Sequence, residues 1–242
     1  MSSITEKMKV EIWSDIMCPF CYIGKRKFES ALEGFNAAAQ IELQWHSFQL
    51  DPDIQAGDNK NLYQYLSERK GISLQQSVEM HKQVTAMAKE VGLEYNFDKA
   101  VVANSFDAHR LIQLAKTVGL ADAAEEQLFL AYFTEGKDVS DHAVLKVLGK
   151  NIGLDEAQVS EMLNSDKYTK EVQQDIAKAA QTGVRGVPFF VFNRKYAVSG
   201  AQSPDIFLQA LKQSHEEWRK DQPVTLTEIG EGETCTPGGD CA

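Results

Sequence analysis

Residues Ser14–Gly24 read SDIMCPFCYIG, with Pro19 and Phe20 enclosed by two cysteines, Cys18 and Cys21. Such a pair has three readings: half of a zinc site, two buried small hydrophobes, or a redox couple. The flanking sequence locates it. Upstream, Lys9–Trp13 (KVEIW) is a short run of strand formers. Downstream, Tyr22, Ile23, Phe28, Leu32 and Phe35 recur at mostly helical spacing. IELQWHSF then alternates Ile41, Leu43 and Trp45 against Glu42, Gln44 and His46, which predicts a half-buried strand. The order is β-α-β, and both cysteines fall at its first strand-to-helix turn.

That position matters chemically. The first backbone N–H groups of a helix lack intrahelical acceptors, and about half a positive charge collects there. A thiol so placed can titrate anywhere from ~3.5 to ~7.5 instead of ~8.5. Pro19 suits the first helical position, since its φ is already helical and it has no N–H to leave unpaired. Two intervening residues bring Cys21 back beside Cys18, close enough for a small reversible disulfide. Cys18, nearer the exposed end, is expected to attack, and Cys21 to resolve the mixed disulfide. A four-cysteine zinc site would need Cys235 and Cys241, but CTPGGDC exceeds the usual ligand spacing. His46, His81, His109, His142 and His215 are scattered, so no metal site is expected.

From about residue 60 to 183 the chain shows only amphipathic helical segments, closed by Gly71, Gly92, Gly119, Gly136, Gly153 and Gly183. Strand character returns in VPFFVFN and KYAVSG, with Asn193-Arg194 as a tight turn between them. Ser203 and Pro204 signal a last helix running to about Trp218. The end of the chain is rich in Gly, Thr and acidic residues and carries Cys235 and Cys241.

The totals bound the function. At 242 residues with 43% hydrophobic and 25% charged, the chain can bury a core. A formal charge of -10 argues against a broad nucleic-acid or anionic-membrane footprint. MSSITEKMKVEIWSD shows no secretory pattern, and no run approaches the ~18 apolar residues of a membrane span. The expected compartment is cytoplasmic, where a cysteine pair is more often catalytic, redox-sensing or metal-binding than structural.

Three stretches carry a resemblance: SDIMCPFCYIGKRKFE, NSFDAHRLIQLAK and GVRGVPFFVF. The sequence resembles the thioredoxin superfamily and, more closely, DsbA-like oxidoreductases of the FrnE branch, over roughly residues 8 to 220. The resemblance implies a thioredoxin-like α/β fold with a helical domain inserted between the β-α-β and β-β-α halves. The expected divisions are residues 1–55 and 184–220 for the two halves, 56–183 for the insertion, whose last helix joins the core or not, and 221–242 for the tail. It implies a protein dithiol–disulfide oxidoreductase of the oxidase or isomerase type, with no cofactor beyond a redox-active Cys18–Cys21 disulfide. Protein or peptide thiols are the expected partners and glutathione a further one, with no nucleic acid or membrane; the oligomeric state stays open, a dimer included.

In the family a cis proline faces the disulfide, a role that falls to Pro188, with Val187 receiving the substrate backbone. Phe20, Val187 and Phe189 would form an apolar rim, and the helix bearing Asn104 and His109 would lie along the cleft. Cys235 and Cys241 are either a second redox pair exchanging with Cys18, or a small local disulfide or incidental thiols. Two departures stand out. Oxidising periplasmic relatives usually carry His where Phe20 stands, so a couple less oxidising than about -120 mV is expected. Thioredoxins often have a buried acid where Ile12 stands, and the nearest acid, Asp15, is expected to cap the helix. The rivals are a glutathione-dependent isomerase or transferase of the hydroxychromene-carboxylate isomerase or kappa type, which usually carries a lone Ser at the nucleophile position, and a holdase-like chaperone.

Overall fold

A computed structural model describes residues 6–54 and 61–222. A four-stranded sheet runs in the order β2-β1-β3-β4. Strand β1 (Met8–Ser14) pairs in parallel with β2 (Ile41–Ser47), joined through helix α1 (Pro19–Glu33). On its other side β1 pairs antiparallel with β3 (Phe189–Phe192), which turns through Asn193-Arg194 into β4 (Tyr196–Ser199). Both turn residues have positive φ (48 and 53), and across them the Lys195 amide donates to the Phe192 carbonyl (3.0 Å), closing the three-residue connection between the strands. Helix α9 (Pro204–Lys220) closes the chain. Ser203 occupies its N-cap position and Pro204 its first turn, but the Ser203 side chain makes no capping bond.

Between β2 and β3 lie α2 (Leu62–Lys70), α3 (Leu74–Glu90), α4 (Phe106–Thr117), α5 (Ala121–Phe129), α6 (His142–Asn151), α7 (Glu156–Leu163) and α8 (Thr169–Gln181). Their starts are written locally. Asn61, Ser73, Asp141 and Asp155 each accept a first-turn amide, and Ser73 with Gln76 forms a complete capping box. The fold is therefore the expected α/β thioredoxin-like sheet with helices inserted between its halves.

One face of the sheet packs on α1 and α9. Phe28 lies 5.4 Å from Phe190 and 5.7 Å from Phe207, ring centroid to centroid, and Phe190 lies 4.6 Å from Phe207. The other face is covered by α8. His46, which strand alternation placed outward, is buried there, stacked on Trp13 at 4.6 Å. Its Nδ1 meets Asp175 Oδ1 at 2.5 Å, and the other Asp175 oxygen accepts from the Ser47 amide (3.0 Å) and Gln113 (2.6 Å). Trp13 Nε1 donates to the Asp175 carbonyl at 3.2 Å. A strand reads as half-buried only if one of its faces meets water, and α8 removes that water.

Burial by itself would raise the Asp175 carboxyl, but the bond and charge of His46, the Ser47 amide and Lys116 outweigh it and hold the group below its ordinary range. A carboxylate depressed in the folded state adds stability above its unfolded pKa of ~3.9, and that stability is lost as pH falls through the folded value. Asp175→Asn should therefore cost about 3 kcal/mol in urea unfolding at pH 7, the scale of breaking one partner of a buried pair. The gap from wild type should narrow as the pH is lowered below ~4. A gap constant from pH 7 to pH 3 would mean that this charge does not hold α8.

Candidate active site

Helix α1 begins where the cysteines lie. Cys18 is its N-cap residue, in extended conformation, Pro19 is its first helical residue, and Cys21 falls in its first turn. The Cys18 amide donates to the Asp15 carbonyl (2.9 Å) and the Cys21 amide to the Cys18 carbonyl (3.0 Å). Both sulfurs are free thiols, and both residues are buried. The Cys18 thiol donates to the Val187 carbonyl at 3.4 Å.

The segment opposite is held close from below. The Val187–Pro188 peptide is cis, and the Pro188 carbonyl accepts from the Gly200 amide at 2.8 Å. Pro188 presses on α1 at Gly24, where an added Cβ would come within 2.9 Å of Pro188 Cγ. Glycine inside a helix is otherwise unfavourable by roughly 0.5–1 kcal/mol relative to alanine. This close approach is the physical reason for it.

The two cysteines have unlike surroundings. Cys21 is pushed well above the ordinary thiol range, first by burial and then by the Cys18 thiol, with the Asp15 amide and the Ser14 hydroxyl opposing. Behind Ser14 stands a carboxyl absent from the sequence reading. Glu125 on α5 is fully buried, with Oε2 3.5 Å from Ser14 Oγ. Burial, with Asp122 and Asp15 adding, pushes it up to about 8, while Lys25 and Ser14 pull the other way. No motif marks Glu125. The available signal was its place on the inward stripe of α5, among Ala124, Leu128 and Phe129, where a carboxyl costs most.

Asp15 does not cap α1. Cys18 holds the capping position, and the Asp15 carboxylate instead accepts from the Met17 amide (3.2 Å) and the Leu50 amide (2.6 Å), tying the cysteine loop to the segment after β2. His109 lies behind this acid, with Nε2 3.4 Å from Asp15 Oδ1 and no exposure to solvent. Asn104 is spent on neighbouring segments, donating to the carbonyls of Pro52 (3.2 Å) and Ile54 (3.1 Å) and accepting from the Gln49 side chain (3.2 Å) and the Phe106 amide (2.9 Å). Neither lines the cleft as the sequence suggested. They brace loops that do.

The cleft itself has a volume of about 460 Å³ and runs from Cys18, Phe20 and Val187 into the inserted helices. Its walls are mainly apolar, from Leu50, Leu62, Leu66, Met80, Val84, Phe97 and Phe133. Arg69, Lys70 and His81 are its basic groups among the described residues, and Arg69 is paired with Asp51. His81, lowered by burial against the bond from its ring to the Ser77 carbonyl, faces Phe97 edge-on at 4.6 Å. Phe20 is exposed beside the sulfurs, whereas Phe189 turns to the opposite side of the sheet with Trp13 and does not line the cleft. A second hollow, about 510 Å³ and more open, lies on the outer side of α3 and includes neither cysteine. Among the described residues no cluster of His, Cys, Asp or Glu is arranged to hold a metal. Cys235 and Cys241 lie outside the described residues.

A thiol at a helix N-terminus, a buried partner thiol and a facing Val-Pro carbonyl form a dithiol site, and residues 9–212 match the DSBA-like thioredoxin domain family. The chain belongs to that family. At that level it is a thiol–disulfide oxidoreductase. It is similar to a probable DsbA oxidoreductase from Streptomyces coelicolor, with 38% identity, coverage of 97% of this chain and 98% of that one, and a TM-score of 0.83. Two structures show the shared fold alone. One is the cytosolic disulfide reductase DsbM from Pseudomonas aeruginosa, 17% identical with a TM-score of 0.63 over 86% of this chain and 99% of that one. The other is a 2-hydroxychromene-2-carboxylate isomerase, 14% identical with a TM-score of 0.64 over 89% of this chain and 100% of that one.

The Gly24–Pro188 contact gives a direct test. By helix propensity alone Gly24→Ala should stabilise α1. With Pro188 Cγ at 2.9 Å, the new methyl should instead lower stability by about 1–3 kcal/mol, the scale of overpacking. Exchange with a disulfide peptide should slow in parallel, as Val187 is moved away from Cys18. Urea titration and stopped-flow exchange measure both, and a stabilised variant of full activity would dismiss the contact as a constraint.

Proposed function

We propose that this member of the family exchanges dithiols and disulfides on protein substrates through Cys18 and Cys21. The observation that carries the reading is the Cys18 sulfur at the end of an apolar cleft, 3.4 Å from the Val187 carbonyl, with Cys21 buried behind it. An extended substrate segment would lie along Val187, its apolar side chains in the cleft and its cysteine at Cys18. A substrate thiolate attacks Cys18 of the oxidised protein, a mixed disulfide forms, and Cys21 leaves with the electron pair. The second substrate thiolate then releases Cys18, so one substrate disulfide forms and two protein thiols remain. The reverse sequence reduces or reshuffles a substrate disulfide.

Cys21 keeps its proton strongly, so attack by Cys21 on a mixed disulfide needs an acceptor. We assign that acceptor to Glu125, reached through the Ser14 hydroxyl. Phe20 supports a couple less oxidising than that of relatives with His in its place. Glutathione suits the reaction as a redox partner, and DsbM has been solved with it. We place the reaction in the cytoplasm, a reading supported by the structural similarity to the cytosolic disulfide reductase DsbM.

The isomerase rival needs one nucleophile, whereas two thiols share this turn with proline between them. Cys18→Ser should abolish disulfide exchange with a reporter such as reduced, unfolded ribonuclease. Cys21→Ser, mixed with a disulfide-bearing reporter such as scrambled ribonuclease, should be trapped as a mixed disulfide: the Cys18 thiolate displaces one reporter thiol, and the link is visible on non-reducing gels. Partial isomerase turnover in Cys18→Ser would favour the rival, and undiminished suppression of aggregation with no exchange in the wild type would favour the holdase.

The acceptor has its own signature. Glu125 is mostly protonated at pH 7 and ionises through about 8. Release of a preformed mixed disulfide should accelerate across that range in the wild type. Glu125→Gln should remove this limb, slowing release roughly 10²-fold at pH 8, the lower end of what a positioned base contributes. The same variant should gain stability with rising pH relative to wild type. A carboxyl raised in the fold stabilises fully only below its unfolded ~4.3, and that contribution is lost as pH rises through about 8. Identical release profiles would remove Glu125 from the mechanism.

A further inference from the structure

One contact reaches the backbone between the two cysteines from outside the sheet. Tyr95, in the segment joining α3 to α4, is buried, and its hydroxyl donates to the Pro19 carbonyl at 2.7 Å. The ring is fixed on three sides. It stacks on Phe133 at 4.6 Å, meets Phe97 edge-on at 5.4 Å and lies near-parallel to Tyr22 at 6.2 Å. Burial first, and then the two nearby sulfurs, push the phenol up, so it remains a donor throughout the working range.

The acceptor is not an arbitrary carbonyl. An N-cap side chain can receive the amides of the second and third helical residues, here Phe20 and Cys21; as a thiol Cys18 receives neither, and the Cys21 amide is taken by the Cys18 carbonyl. The Phe20 N–H belongs to the same peptide unit as the Pro19 carbonyl. A hydrogen bond accepted at one end of a peptide unit strengthens the donor at the other. While Cys18 is a thiol it donates to Val187. As a thiolate it can only accept, and the Phe20 amide is among the donors the turn offers it.

We propose that Tyr95 is a positioning residue of the redox couple: its hydroxyl on the Pro19 carbonyl strengthens the Phe20 amide toward the Cys18 sulfur and so favours the reduced form. The proposal rests on Cys18 and Cys21 being a redox pair, and it makes the inserted helical block a determinant of their potential. It also joins the potential to the cleft, because Phe97 and Phe133, which hold the Tyr95 ring, are cleft walls.

The test is the equilibrium of the full-length chain with glutathione, protein disulfide plus two glutathione thiols giving protein dithiol plus one glutathione disulfide. Tyr95→Phe removes one oxygen and keeps the ring. It should lower the constant for reduction about two- to tenfold, the range of one hydrogen bond, and tenfold is about 30 mV for this two-electron couple. Urea unfolding of both redox forms closes the cycle, since the reduced variant should lose more stability than the oxidised one by the same factor. Tyr63→Phe, which removes the hydroxyl bound to Asp98 at 2.8 Å, should leave the constant unmoved. 3-Fluorotyrosine at position 95, a stronger donor of nearly the same shape, should raise the constant, and it serves equally should Tyr95→Phe not fold. Equal destabilisation of both forms with an unchanged constant would overturn the proposal, as would a fluorotyrosine protein whose constant equals or falls below that of wild type. Failure of the functional reading looks different: a wild-type couple that equilibrates with glutathione yet leaves protein substrates untouched.

Discussion

The site depends on one separation, the 3.4 Å between the Cys18 sulfur and the Val187 carbonyl. These residues come from distant parts of the chain, so no local propensity can set their distance. It is set by register. Trp13, at the end of β1, sits opposite Phe189, at the start of β3, which brings the turn after β1 beside the segment before β3. Slippage by one residue would send every side chain of β3 to the wrong face and take Phe190 and Phe192 away from Phe28 and Phe207. The aromatic cluster of Phe28, Phe190 and Phe207 holds the register from one side, and Trp13 against α8 holds it from the other. Gly24 then lets Pro188 settle onto α1.

Given that frame, the inserted helices do more than fill space. The α5 helix carries a buried carboxyl to the back of the cysteine turn, and α2 and α3 form the far wall of the cleft. The α8 helix supplies Asp175, whose two oxygens engage His46, Ser47 and Gln113. Such groups belong to different segments yet converge within a few ångströms of one another or of the sulfurs. In a low-dielectric interior each acts on its neighbours more strongly than it would in water.

The sequence disclosed what is locally encoded. Cys18 and Cys21 were legible because a strand-to-helix turn with proline at the first helical position has its own chemistry, and glycine stops and capping residues outlined the helical block. Groups whose roles arise only from packing were hidden. His46 looked outward because alternation cannot reveal a helix that returns from residue 169 onward to cover the second face. Asp15 resembles a cap because it precedes a helix, but the helix starts four residues later, with Cys18 as its cap, and the acid clamps Met17 and Leu50 instead. Asn104 and His109 were sought at the cleft through resemblance, and they act one layer behind it. Glu125 and Tyr95 carried no signal beyond an acid on an apolar stripe and an aromatic in a loop.

The contrast between the cysteines also bears on how protons accompany electrons. Under the proposed exchange, reducing a Cys18–Cys21 disulfide would yield two sulfurs in unlike surroundings. Cys18 sits at the helix N-terminus, where amides can hold an anion. Cys21 is enclosed, and burial together with its neighbour favours the protonated form. Reduction under that proposed exchange would carry at least one proton into the interior on the Cys21 side, and oxidation would send it out. An apolar core offers no route for a proton, and bulk water does not reach a residue with 1% of its surface exposed. Ser14 and Glu125 supply polar atoms in that direction. The cost of burying a carboxyl is understandable there, since a group balanced between its two forms can take a proton and return it.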